Sequence, residues 1–79
     1  MITASFLRQK MKAQPFRPFR ICLSDGKHFD ATNHDIAFVK STTVEIGIEL
    51  DAKGFAENCA EFSILHITRI EDIPREKAA

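Results

Sequence analysis

The chain has 79 residues, the size of a small domain with a single hydrophobic core, so the sequence predicts one domain over residues 1–79. Hydrophobic residues make up 44% and charged residues 28%, a globular composition that argues against a disordered chain. No apolar run approaches the length of a membrane span, about 20 residues, and the N-terminus lacks the core of a signal peptide. We therefore expect a cytoplasmic protein with no membrane partner.

The formal net charge is zero, because eleven basic residues balance eleven acidic ones. This balance excludes neither nucleic acid nor protein as a partner. The charges are nevertheless unevenly spread, since residues 1–20 hold five basic residues and no acidic one, whereas residues 41–60 hold four acidic residues and one lysine. Such asymmetry is typical of a basic binding arm, of two attracting parts of one chain, or of a solvated helix face.

The first predicted element is an amphipathic helix over residues 3–13. Thr3 can accept a hydrogen bond as the N-cap, and Ile2 can pack against Leu7 across the first turn. The apolar stripe at helical spacing comprises Phe6, Leu7 and Met11. Two basic residues share another face, Arg8 and Lys12. Pro15 ends the helix because the residue before a proline is driven out of the helical region, and so short a helix must dock on the rest of the chain.

Residues 19–31 are predicted to form a β-hairpin. The first strand has one apolar face, because every second residue is apolar: Phe19, Ile21 and Leu23. A two-residue loop at the Asp-Gly pair would place polar groups of the second strand on that apolar face.

A three-residue loop over 24–26 gives a consistent register for this hairpin. It pairs Ile21 with Phe29 and places Arg20 opposite Asp30. The glycine of the loop then takes the left-handed position of a turn with a G1 bulge. Because a slip of one residue would reverse every side chain, we predict the three-residue loop.

The remaining chain is predicted to form short strands separated by turns. In chain order these are a turn over 33–35, strands over 36–40 and 44–50, a loop over 51–54, a strand with weak alternation over 56–62, a helical turn over 64–66, a last strand over 67–70 and a loose tail over 74–79. The strand over 44–50 is the clearest, because apolar residues alternate with acidic ones, so we expect it to be half buried. Gly47 in its middle indicates a bend, and Ser63 can cap the helical turn.

The predicted fold class is mainly β with one N-terminal helix. About five short strands joined by tight turns favour antiparallel pairing. The strands over 19–71 can hide their edges by curling into a small barrel of the SH3-like or Sm-like kind, which the helical turn before the last strand fits. The close alternative is a strongly bent open sheet with the helix across one face.

Three stretches of the sequence resemble a known family. Residues 14–21 read QPFRPFRI, residues 23–26 read LSDG and residues 65–71 read LHITRIE. Over most of residues 14–71 the chain resembles a family of small bacterial proteins of uncharacterised function, although members often carry a proline where this chain has Asp35. The resemblance implies a bacterial cytoplasmic setting and a fold shared by small, stand-alone chains. It implies no activity, cofactor or catalytic residue.

The candidate nucleophiles and metal ligands considered are two cysteines and three histidines. Cys22 and His28 are cross-strand neighbours in the predicted register, as a thiolate–imidazole pair requires, but no oxyanion site or orienting group accompanies them. A disulfide between Cys22 and Cys59 would suit an oxidising compartment, but the expected cytoplasmic setting favours two free thiols on or under the sheet. These two cysteines with His28 and His66 are enough ligands for zinc, but the usual short-spaced ligand pairs are missing. We therefore predict no enzyme, metal, cofactor or small-molecule substrate.

The sequence supports two hypotheses about function. A small sheet with open edges and seven phenylalanines has apolar residues to offer a protein partner or a second copy in a homo-oligomer, for example Phe16, Phe55 and Phe62. The alternative is an RNA-binding or other nucleic-acid-binding barrel with a basic N-terminal arm, since phenylalanine and arginine alternate over 16–20. The candidate binding surface comprises Arg8, Lys12, Phe16, Arg17 and Arg20. A protein partner ranks first, because Phe19 belongs to the apolar face of its strand.

Overall fold

The computed structural model describes residues 2–53 and 55–74, so residues 75–79 of the predicted tail lie outside the described residues. In chain order the described residues form helix α1 (Ala4–Lys12), strands β1 (Phe19–Leu23), β2 (His28–Ala31), β3 (Ala37–Val39), β4 (Thr43–Leu50) and β5 (Ala56–Ser63), a 3-10 helix (Ile64–His66) and strand β6 (Ile67–Asp72). The predicted mainly β class with one N-terminal helix is confirmed, and the described residues form six strands where about five were predicted. Within these residues no helix is long and apolar enough to cross a membrane.

Helix α1 begins at the predicted cap, because the Thr3 hydroxyl oxygen accepts a hydrogen bond from the Phe6 amide at 3.1 Å. Its buried face is formed by Leu7 and Met11. The predicted stripe is wrong in one member, since Phe6 is 42% exposed. Phe6 precedes Leu7 by about 100° around the axis, so it lies on the flank of the helix, where the Lys10 ammonium sits 5.8 Å from its ring centroid.

Strands β2, β1 and β6 form one antiparallel sheet in that order. The predicted hairpin register is confirmed, with Ile21 opposite Phe29 and Arg20 opposite Asp30. The loop over 24–26 places Gly26 at φ 89°, the left-handed conformation that the three-residue turn requires. The confirmed register therefore fixes on which face of the sheet each side chain of β1 and β2 lies.

Strands β3, β4 and β5 form a second antiparallel sheet, also in chain order. The pairing of β4 with β5 shifts register next to Gly47, where a bend was predicted. The expected burial of β4 is correct only for its first half. Val44 and Ile46 are buried, but Ile48 and Leu50 are exposed, because the described residues cover that face only as far as Ile46.

The core lies between α1 and the two sheets. The buried side chains form one cluster that comprises Leu7, Met11, Phe19, Ile21, Leu23, Ala31, Val44, Ile46, Ile64 and Ile67. The 3-10 helix carries the chain from β5 to β6, and Ser63 caps it as predicted by accepting a hydrogen bond from the Leu65 amide at 3.2 Å. The described strands thus form two three-stranded sheets and no closed barrel, so the barrel stays a prediction.

Candidate functional site

Two of the five predicted binding residues share the exposed face of α1. Arg8 and Lys12 lie one helical turn apart and line a shallow depression with Ser5 and Gln9. Lys10 lies on the flank of the helix, where its Nζ atom is 3.2 Å from Asp72 Oδ1 in β6. The outer face of α1 is therefore basic.

Two more predicted residues lie in the connector between α1 and β1. Phe16 is half-buried, and its ring centroid lies 6.1 Å from that of Phe19 and 6.4 Å from that of His34. Arg17 is exposed and lines a depression together with Pro18 and the chain just after β6. The connector therefore presents a cation, while its aromatic side chain packs against the core.

The fifth residue, Arg20, is engaged by an acidic neighbour. Its Nε and Nη2 atoms donate to the two carboxylate oxygens of Asp30 at 2.8 and 3.3 Å. The hydrogen bond with Arg20 holds the pKa of Asp30 below its ordinary value, and the same bond raises the pKa of Arg20. The guanidinium thus belongs to a neutral ion pair on β1 and β2. Assignment of Arg8, Lys12, Phe16, Arg17 and Arg20 to one binding surface stays a prediction.

The cysteines lie in different sheets. Cys22 is half-buried on β1, opposite His28 as predicted and opposite Arg69 on its other side. Cys59 is exposed on β5, and both thiols are free in the part of the chain that the structure describes. Among the described residues, no three or more histidine, cysteine, aspartate or glutamate side chains are placed to hold a metal ion.

The outer face of the second sheet carries a hydrogen-bonded glutamate and an exposed aromatic ring. Glu61 Oε2 accepts from Thr43 Oγ1 at 2.8 Å and from Lys40 Nζ at 3.0 Å. The hydrogen bond from Thr43 is the main cause that lowers the pKa of Glu61, and the bond from Lys40 adds to it. Phe38 is 64% exposed and lies opposite Glu45. This face therefore combines acidic groups with one exposed aromatic side chain.

An apolar groove runs between β2 and the far half of β4, and we call it the β2–β4 groove. Its apolar lining comprises Phe29, Ile36, Ile48 and Leu50, and its polar lining comprises His28, Asp30 and Thr32, with Gly47 beside them. Phe55, in the turn between β4 and β5, is 69% exposed. Phe62 was predicted to be exposed. It is instead half-buried and stacks on Phe29 with ring centroids 5.2 Å apart.

The β2–β4 groove was not predicted from the sequence. Alternation along a strand identifies its apolar face but does not say whether another element covers that face. No signal in the sequence marks the groove, because alternation predicts strands over 36–40 and 44–50, whereas in the structure β3 has three residues and β4 has eight.

A comparison with models of known protein families finds no match, and comparisons with curated proteins and with solved structures find none either. The family resemblance over residues 14–71 therefore stays a prediction.

Proposed function

We propose that this chain is a small, non-enzymatic interaction module that binds a protein partner or a second copy of itself. The observation that carries the proposal is the exposure of large apolar side chains at the β2–β4 groove and the adjoining turn. Ile48, Leu50 and Phe55 are 46%, 44% and 69% exposed. Ile48 and Leu50 line the same groove, and contiguous apolar surface on a small domain is typical of a site that another molecule covers.

We also infer that the two sheets are the halves of an open barrel of the SH3-like or Sm-like kind. The sheet orders β2-β1-β6 and β3-β4-β5 support this inference, as does the 3-10 helix that leads into the last strand. The β2–β4 groove is then the gap at which the barrel is open. The family resemblance and a bacterial cytoplasmic setting belong to the same proposal and rest on residues 14–71.

Two measurements test the proposed function. Light scattering over a wide range of protein concentration reports the mass in solution, and capture with the tagged protein from its native host reports other protein partners. We expect a mass above that of one chain, or a stoichiometric partner. A strict monomer that captures no protein would overturn the proposal.

The second candidate function is RNA binding by the basic N-terminal arm. The observation in its favour is that Arg8 and Lys12 lie side by side on the exposed face of α1, while Arg17 is exposed in the connector that follows. Exposed cations can contact phosphates, and binding of this kind weakens steeply as salt rises.

Anisotropy of labelled single-stranded RNA, titrated at several salt concentrations, separates this candidate from the first. Replacing Arg8 and Arg17 by alanine should flatten the salt dependence by about 0.7 in the log–log slope for each lost phosphate contact. Lys40→Ala is the matched control, because it removes one cation that lies outside the predicted surface and is held by Glu61, and it should leave the slope unchanged. Absence of binding at low salt would exclude RNA as the partner.

A further inference from the structure

The apolar stripe of β4 continues beyond the cover that the core provides. Val44 and Ile46 are each 1% exposed, whereas Ile48 and Leu50, farther along the same strand, are 46% and 44% exposed. Both exposed residues line the β2–β4 groove. Two large side chains therefore extend the core stripe into a region that the described residues leave open.

The opposite wall of the groove is the free edge of a strand. Within the described residues β2 is the edge strand of its sheet. The Leu23 amide donates to the Lys27 carbonyl at 2.9 Å, so these two residues form a hydrogen-bonded pair. Because hydrogen-bonded and non-hydrogen-bonded pairs alternate along an antiparallel ladder, the backbone groups of His28, Asp30 and Thr32 point away from β1. These three residues line the groove. It thus offers backbone donors and acceptors beside apolar side chains, which is what an added β-strand requires.

The charge at this edge favours a partner strand without a strong charge of its own. The carboxylate of Asp30 is already neutralised by Arg20, with N–O distances of 2.8 and 3.3 Å. A strongly acidic or basic strand would therefore find no opposite charge to meet at the edge. A second copy meets the edge with the same neutral ion pair, so neither copy brings an unpaired Asp30 carboxylate to the contact.

The edge of β2 is also complementary to itself. Antiparallel pairing of two β2 edges about a two-fold axis at Asp30 places His28 of each copy opposite Thr32 of the other. The two Asp30 residues then lie opposite each other, and each carboxylate is held by Arg20 of its own copy. The outward backbone groups of these residues then bond to each other, as in any antiparallel ladder. Such an isologous contact closes on itself and leaves a dimer.

We propose that a second copy of this chain occupies the β2–β4 groove, with the two β2 edges paired antiparallel. Strand β2 of each copy covers Ile48 and Leu50 of the other, and the two β2-β1-β6 sheets become one six-stranded sheet. This inference rests on the proposed function, for which it names the partner and the surface.

Sedimentation equilibrium of the full chain tests the inference. The wild type should reach the mass of two chains, and the double variant Ile48→Lys/Leu50→Lys should raise the dissociation constant at least about a hundredfold, because four apolar side chains per dimer lose their cover. Phe38→Lys is the matched control, since Phe38 is 64% exposed outside the groove, and it should leave the dimer intact. Circular dichroism of each variant establishes that it is folded.

A second variant tests the strand pairing itself. Thr32→Pro removes an outward amide from each copy while leaving the pairing of β1 with β2 over 19–31 in place, so it should raise the dissociation constant about tenfold or more. A dimer that survives both the lysine and the proline variants would overturn the inference but leave the proposed function standing. A monomeric wild type would overturn the inference as well, and the capture experiment would then decide the proposed function separately.

Discussion

Arg20 and Asp30 illustrate how one pair of residues decides what a surface can do. Each side chain is more than one-third exposed, so solvent screens the pair, yet two hydrogen bonds hold the guanidinium against the carboxylate. The sequence placed the two residues opposite each other, because the loop over 24–26 fixed the register. The sequence also predicted Arg20 as a ligand-binding cation. Because its guanidinium already donates to Asp30, Arg20 is less free to bind an anionic ligand than Arg8 or Arg17.

The lowered pKa of Asp30 predicts a specific dependence of stability on pH. Because the folded-state pKa lies below the unfolded-state value, the stabilisation is present above the unfolded-state pKa, about 3.9, and is lost as the pH falls through the folded-state pKa. We expect the urea midpoint of the wild type to fall more between neutrality and acid than that of Asp30→Asn.

Glu57→Gln is the control for this experiment, because it neutralises an exposed carboxylate on β5, away from the Arg20–Asp30 pair. Its urea midpoint should follow the wild type through the whole pH range. Identical pH profiles for the wild type and Asp30→Asn would contradict the assigned role of the ion pair.

At the scale of the element, the β1–β2 hairpin was predictable and the far half of β4 was not. The hairpin register follows from local information, since alternation on β1 and the position of Gly26 admit one consistent pairing. The cover over Ile48 and Leu50 depends on where β2 and β3 end, which is a property of contacts distant in sequence. Strand β5 gave a weak signal because its apolar alternation is short: Phe62 and Ala60 lie opposite Val44 and Ile46, but the register shift next to Gly47 interrupts the pattern after that.

Gly26 allows the hairpin to be tested at the position that fixes its register. A Cβ atom added there meets nothing within 4 Å, so the cost of a substitution comes from the positive φ alone. Gly26→Ala should lower the free energy of unfolding by about 1–2 kcal/mol. Gly26→Asn should lower it less, because asparagine tolerates the left-handed region. Urea denaturation measures both, and equal losses for the two variants would contradict this account of the turn.

At the scale of the whole molecule, the two sheets share one core although they share no continuous ladder in the described residues. Phe19 and Ile21 enter the core from β1, and Val44 and Ile46 enter it from β4. Because each sheet buries its apolar face against the other, neither has a separate interior of its own. The molecule should therefore unfold as one cooperative unit.

Phe19→Ala tests that expectation, since Phe19 is fully buried and its truncation should cost about 3–5 kcal/mol, a large part of the stability of so small a domain. Phe38→Ala makes the same chemical change at a side chain that is 64% exposed and should stay within about 0.5 kcal/mol of the wild type. Amide hydrogen exchange, measured at one protein concentration, should show equal loss of protection in β1 and β4 of Phe19→Ala. Retained protection in β4 beside rapid exchange in β1 would mean that the two sheets are stabilised independently.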